Sequence, residues 1–296
     1  MFHNKNPKGS EWNIWDLHVH TPASVLSNNF GNDWDKYVKT LFKRAYQKKV
    51  FGLGITDYYT IDGYKRLREE YLENDAKLTE LFEQEEIEHI KNMLVIPNIE
   101  FRIDKLVIAE KEKVPKWNRK VNFHLLFSDQ ISIAQIEDLL GRITFEVVAS
   151  NYDSQHKSLR KEHFIELGKE LQIHQPEFQS ESPLFVGMIN ACVNIDQIAS
   201  CLKADNKTFG GKYLFGLPAD EDLNLVDWAS AGHLTRKNLL NKSHVVFSSN
   251  RNTAEFCLGL KSTDESAYIK EFGSLKPCIW GSDAHDTEKL LEPDQH

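Results

Sequence analysis

Asp16-Leu17-His18-Val19-His20-Thr21-Pro22 reads as a β-strand running into a turn. In a strand, side chains alternate, so His18 and His20 share one face while Leu17 and Val19 share the other. Two imidazoles on one face make half a metal cage, because imidazole suits zinc, iron, nickel and copper and a strand holds its ligands more rigidly than a loop. Spacing alone does not settle this, since His-x-His also occurs on ordinary half-exposed strands. A second motif adds weight. Trp280-Gly281-Ser282-Asp283-Ala284-His285 follows a short apolar run and again sets an acid and an imidazole two residues apart. The two pairs read together as the ends of one metal cluster.

Composition bounds the rest. With 296 residues, 41% of them hydrophobic, the chain can bury a large core. A formal charge of −8 and a pI of about 5.9 argue against coating nucleic acid through bulk charge, though a local basic groove stays open. The cysteines, Cys192, Cys201, Cys257 and Cys278, are spread with no C-x-x-C, which reads as a reduced, cytoplasmic protein. The polar start lacks the apolar core of a signal peptide, and no apolar run approaches the ~20 residues that span a bilayer. No membrane association is expected.

Asp33 reads as the cap of a helix over residues 34–49, with Trp34, Tyr37, Val38, Leu41, Phe42, Ala45 and Tyr46 at helical spacing. Its other side carries Lys36, Lys39, Lys43, Lys48 and Lys49, a solvated face or a track for nucleic acid. Residues 50–56 read as a strand delivering Asp57, residues 62–74 and 79–92 as charged helices, and residues 93–97 as a strand followed by Glu100. A strand over 120–127 contains His124, and Ser132 caps a helix over 132–140. Residues 157–173 and 195–203 read as helices, and 212–217, 243–248 and 277–280 as strands. Strands alternating with helices, with no repeat or linker, predict one α/β domain over residues 1–296, built on a mainly parallel sheet. Polar residues follow the strands, at the ligand end of such a sheet.

Those residues, His18, His20, Asp57, Glu100, His124, Asp283 and His285, form an ordered set: His-x-His, a strand-end Asp, Pro-x-x-Glu, a strand His and Gly-Ser-Asp-Ala-His. The set resembles the PHP superfamily, named for polymerase and histidinol phosphatase, over nearly the full chain. The resemblance implies a distorted (β/α)7 barrel with a metal site at the C-terminal ends of its strands, hydrolysing phosphate esters. It implies one metal between His18, His20, Glu100 and Asp283, with Glu100 bridging to a second held by His124, and His285 near a third position. The sequence departs from the pattern there: Tyr58 stands where a histidine is usual, no acid occurs near Val25, and Leu217-Pro218-Ala219 replaces Ala-His-Pro. Two divalent transition metal ions per chain, manganese, zinc or iron, are therefore expected rather than three.

Trp15 to Ser24, Gly54 to Tyr64 and Asn122 to Ser128 further resemble the PHP module at the N-terminus of larger SMC-like or AAA-like ATPases of anti-phage defence. That implies a nuclease acting on DNA or RNA as the N-terminal portion of a longer polypeptide, with an ATPase in cis or as a partner, and leaves an oligomer open. The chain itself has no G-x-x-x-x-G-K-[ST] phosphate loop. Metals ~3.5–4 Å apart activate water for in-line attack on phosphorus. Asp57 would order a ligand or add an oxygen, Arg102 would clamp a phosphate or pair at the surface, and His285 would protonate the leaving group or bind metal. Alternatives are a non-catalytic module with a depleted site and a small-molecule phosphomonoesterase.

Overall fold

The computed structural model describes residues 13–111, 114–148, 154–219, 229, 232–262 and 264–292, with the backbone alone for 106–111, 114–119, 148 and 154. The chain divides into two compact units, the first formed by Met1–Asn98 with Trp280–Gln295 and the second by Ile99–Ile279.

In the first unit, β1 (Ile14–His20) pairs in parallel with β2 (Val50–Tyr58), and helix α1 (Trp34–Lys48) connects them. Asp33 caps α1 as expected, its side chain accepting from the Lys36 N–H. The helix buries Trp34, Tyr37, Val38, Leu41, Phe42 and Ala45, at about 1.5–3 kcal/mol for each large side chain. Part of its basic side is paired within the unit. Lys43 pairs with Glu86 at 3.6 Å and Lys48 with Glu292 at 2.7 Å, while Arg44 donates to the carbonyls of Glu288 and Leu290 at 2.7 and 3.0 Å. Lys36, Lys39 and Lys49 remain exposed.

The helices after β2 are more broken than the periodicity predicts. α2 (Asp62–Arg66) passes into a π-helical turn at Leu67–Leu72, and the expected helix over 79–92 is two, α3 (Asp75–Leu81) and α4 (Gln84–Asn92). Local caps decide the break: Asn74 accepts from the Lys77 N–H, and Glu83 with Glu86 forms a capping box. The apolar period crosses the break because Leu78 and the extended Phe82 are both buried.

β3 (Leu94–Lys111) begins in the first unit and runs far past residue 97, so Glu100 and Arg102 lie within a strand rather than beyond its end. In the second unit it neighbours β4 (Val114–Phe127), followed by helix α5 (Ile133–Arg142) under the predicted Ser132 cap. Residues read as the start of a helix at 157 instead form a hairpin, β5 (Thr144–Val148) with β6 (Ser154–Ser158), and helix α6 starts at Lys161 and ends at His174. Ser-Gln-His-Lys-Ser has no strand signature of its own; pairing with the apolar β5 makes it one. Then come α7 (Pro183–Asn190), α8 (Ile195–Ala204), α9 (Asn206–Phe209), β7 (Tyr213–Pro218), α10 (His233–Lys242), β8 (Val245–Phe247), α11 (Arg251–Cys257), α12 (Glu265–Phe272) and β9 (Cys278–Ile279).

β7, β8 and β9 run parallel, but β4 and β7 are antiparallel. The described pairings of the seven-stranded sheet are thus parallel apart from β4–β7, but strands do not alternate strictly with helices, since β4 follows β3 and β6 follows β5 directly. Alternating hydrophobicity is the same for either direction, whereas direction is set by the connections. Lys111, Lys113, Lys116 and Arg119, a lysine-rich stretch of the sequence, lie outside the described side chains. Lys120 itself donates to the carbonyls of Ile189, Asn190 and Ala191 at the end of α7, a cation on a helix C-terminus. No disulfide joins the four cysteines, and no described helix is long and apolar enough to cross a membrane.

α6 and α7 meet at two glycines. A Cβ on Gly168 would overlap the Pro183 carbonyl, and one on Gly187 the Phe164 carbonyl, so the backbones touch with no room for a methyl group. Gly187→Ala is expected to cost about 1–3 kcal/mol in a urea titration, the usual range for overpacking against rigid neighbours. An unchanged midpoint would mean that the two helices can part freely.

Candidate metal centre

β1 does not run evenly along β2. Between Asp16 and Val19 it advances three residues while β2 advances two, from Leu53 to Ile55. An extra residue of this kind bends a strand and re-aims its side chains, and it occurs here beside His18. The segment after β9 lies on the other side of β1. The Asp283 N–H donates to the His18 carbonyl at 3.0 Å, and Ala284 bridges to Val19 in parallel. The sequence's two end motifs are therefore neighbours within the first unit.

Their polar atoms converge. His18 Nε2 lies 3.1 Å from His20 Nε2, and Asp283 Oδ1 lies 3.1, 3.4 and 3.3 Å from Nε2 of His18, His20 and His285. His18 and His20 are buried, and Asp283 is 23% exposed. Ligand atoms about 2.1 Å from a common ion stand about 3.0 Å apart in octahedral and about 3.4 Å apart in tetrahedral coordination. The spacings in the His18, His20 and Asp283 group match that range.

The hydrogen bonds around the group fix which nitrogens face inward. His285 Nδ1 lies 3.2 Å from the Ser27 carbonyl, which can only accept, so the proton is on Nδ1 and a neutral ring turns a bare lone pair toward Asp283. A lone pair against a carboxylate is repulsive unless a cation or a second proton intervenes. His20 Nδ1 bonds Ser24 Oγ at 2.7 Å, again leaving Nε2 toward the carboxylate. This is the pattern of imidazole ligands oriented through their outer nitrogen. Burial opposes ionisation of Asp283, yet the three imidazoles hold its carboxyl well below the usual range. Asp283 adopts a left-handed φ of 44°, a conformation uncommon outside glycine and best tolerated by Asp and Asn.

Asp57 sits beside this group as a braced acid. Its Oδ1 accepts from Thr21 Oγ1 and its Oδ2 from the Gly63 N–H, both at 2.8 Å. Thr21 directly follows His20, so Asp57 braces the backbone neighbour of that histidine. Burial pushes its carboxyl up to about 7, against the lowering by the Thr21 hydroxyl, the His20 charge and the Gly63 N–H. Tyr58 stacks on His20 with ring centres 5.0 Å apart and stands parallel to the His285 ring at 6.4 Å. Tyr37 supports the same strand end by donating to the His20 carbonyl at 2.8 Å.

Three expected site residues belong to the second unit. Glu100 and His124 are buried, with a carboxylate oxygen and a ring nitrogen within 4.8 Å of one another, and the His124 ring lies 4.9 Å from that of Phe247. Arg102 follows Glu100 at same-face spacing and is half-buried. Ser24 and Ser27 are not singled out by the sequence. Ser24 had a signal: Thr21-Pro22-Ala23-Ser24 is a turn sequence, and the Ser24 N–H bonds the Thr21 carbonyl at 3.0 Å. The Ser27 contact is made by a backbone carbonyl, which no residue type announces.

No protein-family model and no curated protein matches the chain. Among solved structures, it is similar to a candidate metal-dependent phosphoesterase from Bifidobacterium adolescentis, at 13% identity and a TM-score of 0.36 over 96% of this chain and 91% of that one. A likeness that loose carries no argument about fold or activity.

In metal-free protein, ionising Asp57 opposes folding. Its folded pKa of about 7 exceeds the ordinary 3.8, so the native state holds the proton longer than the unfolded chain and stability falls as pH rises through that window. Wild type is expected to lose about 2–4 kcal/mol relative to Asp57→Asn between pH 4 and pH 8, measured by urea unfolding with chelator present. A gap independent of pH would show that the carboxylate is accommodated without cost.

Proposed function

We propose that the chain is a metal-dependent phosphoesterase. One divalent transition metal ion is held by His18, His20 and Asp283, and a second is bound through Glu100 and His124. The observation that carries the reading is the convergence of three imidazole Nε2 atoms on one carboxylate oxygen, with donor spacings suited to a shared cation. Such ions, when bound, lower the pKa of water and polarise phosphoryl oxygens. The chain's own residues do the rest. Ser24 and Ser27 turn the outer nitrogens of His20 and His285 away from the site, so that Nε2 faces it. Asp57 braces Thr21 and the end of β1. His285 Nε2 is placed either to hold a proton for the leaving group or to add a ligand. Arg102 is assigned to a phosphate oxygen.

Within that class we take nucleic acid as the first substrate to test, in a cytoplasmic protein regulated by an ATPase in cis or as a partner and serving anti-phage defence. The support is the run of motifs around His18, Asp57 and His124. One observation favours a second reading, a small phosphate monoester. Lys43, Arg44 and Lys48 of α1 are committed to Glu86, Glu292 and backbone carbonyls, which leaves less of that side to track a phosphate backbone.

Purified protein is expected to contain divalent metal by elemental analysis, to unfold at lower temperature after chelation, and to recover with manganese or zinc. His18→Ala and Asp283→Asn should each lower metal-dependent hydrolysis by about 100-fold or more while keeping the fold by circular dichroism. Labelled DNA, labelled RNA and a chromogenic monoester separate the two substrates. A metal-poor Asp283→Asn protein with full activity would place the chemistry elsewhere.

A further inference from the structure

Asp16 is buried, sits in β1 two residues before His18, and is not one of the converging ligand atoms. Its Oδ1 accepts two backbone N–H groups, that of His18 at 3.2 Å and that of Ser282 at 3.1 Å. The first donor lies where β1 slips its register against β2, the point at which the strand bends. The second donor belongs to the residue just before Asp283. One oxygen atom thus ties the irregular part of β1 to the loop that carries the acid.

Two further observations point to the same contact. A Cβ on Gly281 would stand 2.7 Å from His18 Cβ and 3.5 Å from Asp16 Oδ1, so the loop is pressed against the strand as closely as a glycine allows. Immediately beyond Ser282, the backbone of Asp283 is held at a φ of 44°. A buried acid is a costly way to satisfy two N–H groups unless their relative position matters.

We propose that Asp16 is a positioning residue for metal binding. It sets the separation of His18 and Asp283 by holding His18 N–H and Ser282 N–H on a single oxygen, and it does not touch the ion. This rests on the metal reading of the site, and its test separates the two.

The probe is cobalt(II), added to the chelator-treated protein and followed by its visible absorption and by titration. Wild type is expected to bind it with a ligand-field spectrum. Asp16→Leu should bind about 10- to 100-fold more weakly with an altered spectrum, the usual effect of removing a group that orients a ligand. Asp16→Asn, which keeps an acceptor oxygen, should recover most of the affinity and the spectrum. A merely structural acid would lower the melting temperature of the metal-free protein without changing the spectrum of the bound ion. Should Asp16→Leu fail to fold, Gly281→Ala carries the test by pushing the same loop off His18, with the same spectral change expected. If wild type binds no cobalt, the metal reading falls and this inference with it. If wild type binds, and the folded variants give its affinity and spectrum, the metal reading stands and the positioning role of Asp16 is wrong.

Discussion

A carboxylate largely withdrawn from water and surrounded by imidazoles is the constraint to which the first unit answers. Asp283 Oδ1 has three ring nitrogens within 3.4 Å, and at least one of those rings, if neutral, turns a lone pair toward it. Such an arrangement is stable only with positive charge among the four atoms. Around it, polar groups are used to direct rather than to ligate. Ser24 and the Ser27 carbonyl fix two rings, Thr21 and Gly63 hold Asp57, and Tyr37 secures the carbonyl of His20. The apolar face of α1 and the buried Leu17 and Val19 of β1 supply the rigid background against which these bonds are made.

What was legible in the sequence was the part governed by local rules. The Asp33 and Ser132 caps, the extent of α1 and the strands carrying Asp57 and His124 all follow from spacing and cap chemistry. His18, His20, Asp283 and His285 could be grouped because the same residue types recur at a two-residue interval at both ends of the chain. Pairing of those ends could be expected but not given a geometry. The register slip in β1 depends on how two strands meet, and the left-handed φ of Asp283 on how its loop is pinned.

Where local signals conflicted with tertiary ones, the expectations failed in a consistent way. The polar β6 is a strand only because β5 offers its edge, and the helix read across 79–92 is interrupted because a capping box competes with a continuous apolar stripe. The antiparallel β4–β7 pair has no signature in residue type at all. The strand expected to end at residue 97 runs on through Glu100 instead, with Ile99, Phe101 and Ile103 buried at alternate positions.

The first unit is assembled from both flanks of the second: its acid Asp283 and the third imidazole, His285, come from Trp280–Gln295, while His18 and His20 lie before Asn98. Closing that gap places a long loop-closure penalty before the contacts that repay it, a topology that slows folding. During synthesis β1, α1 and β2 would leave the ribosome early and wait, with the His18–His20 edge of β1 uncovered, until all of the second unit had been made. Shielding of that edge therefore falls to the last stage of folding, and any slowing of the second unit's folding prolongs the exposure of an aggregation-prone strand.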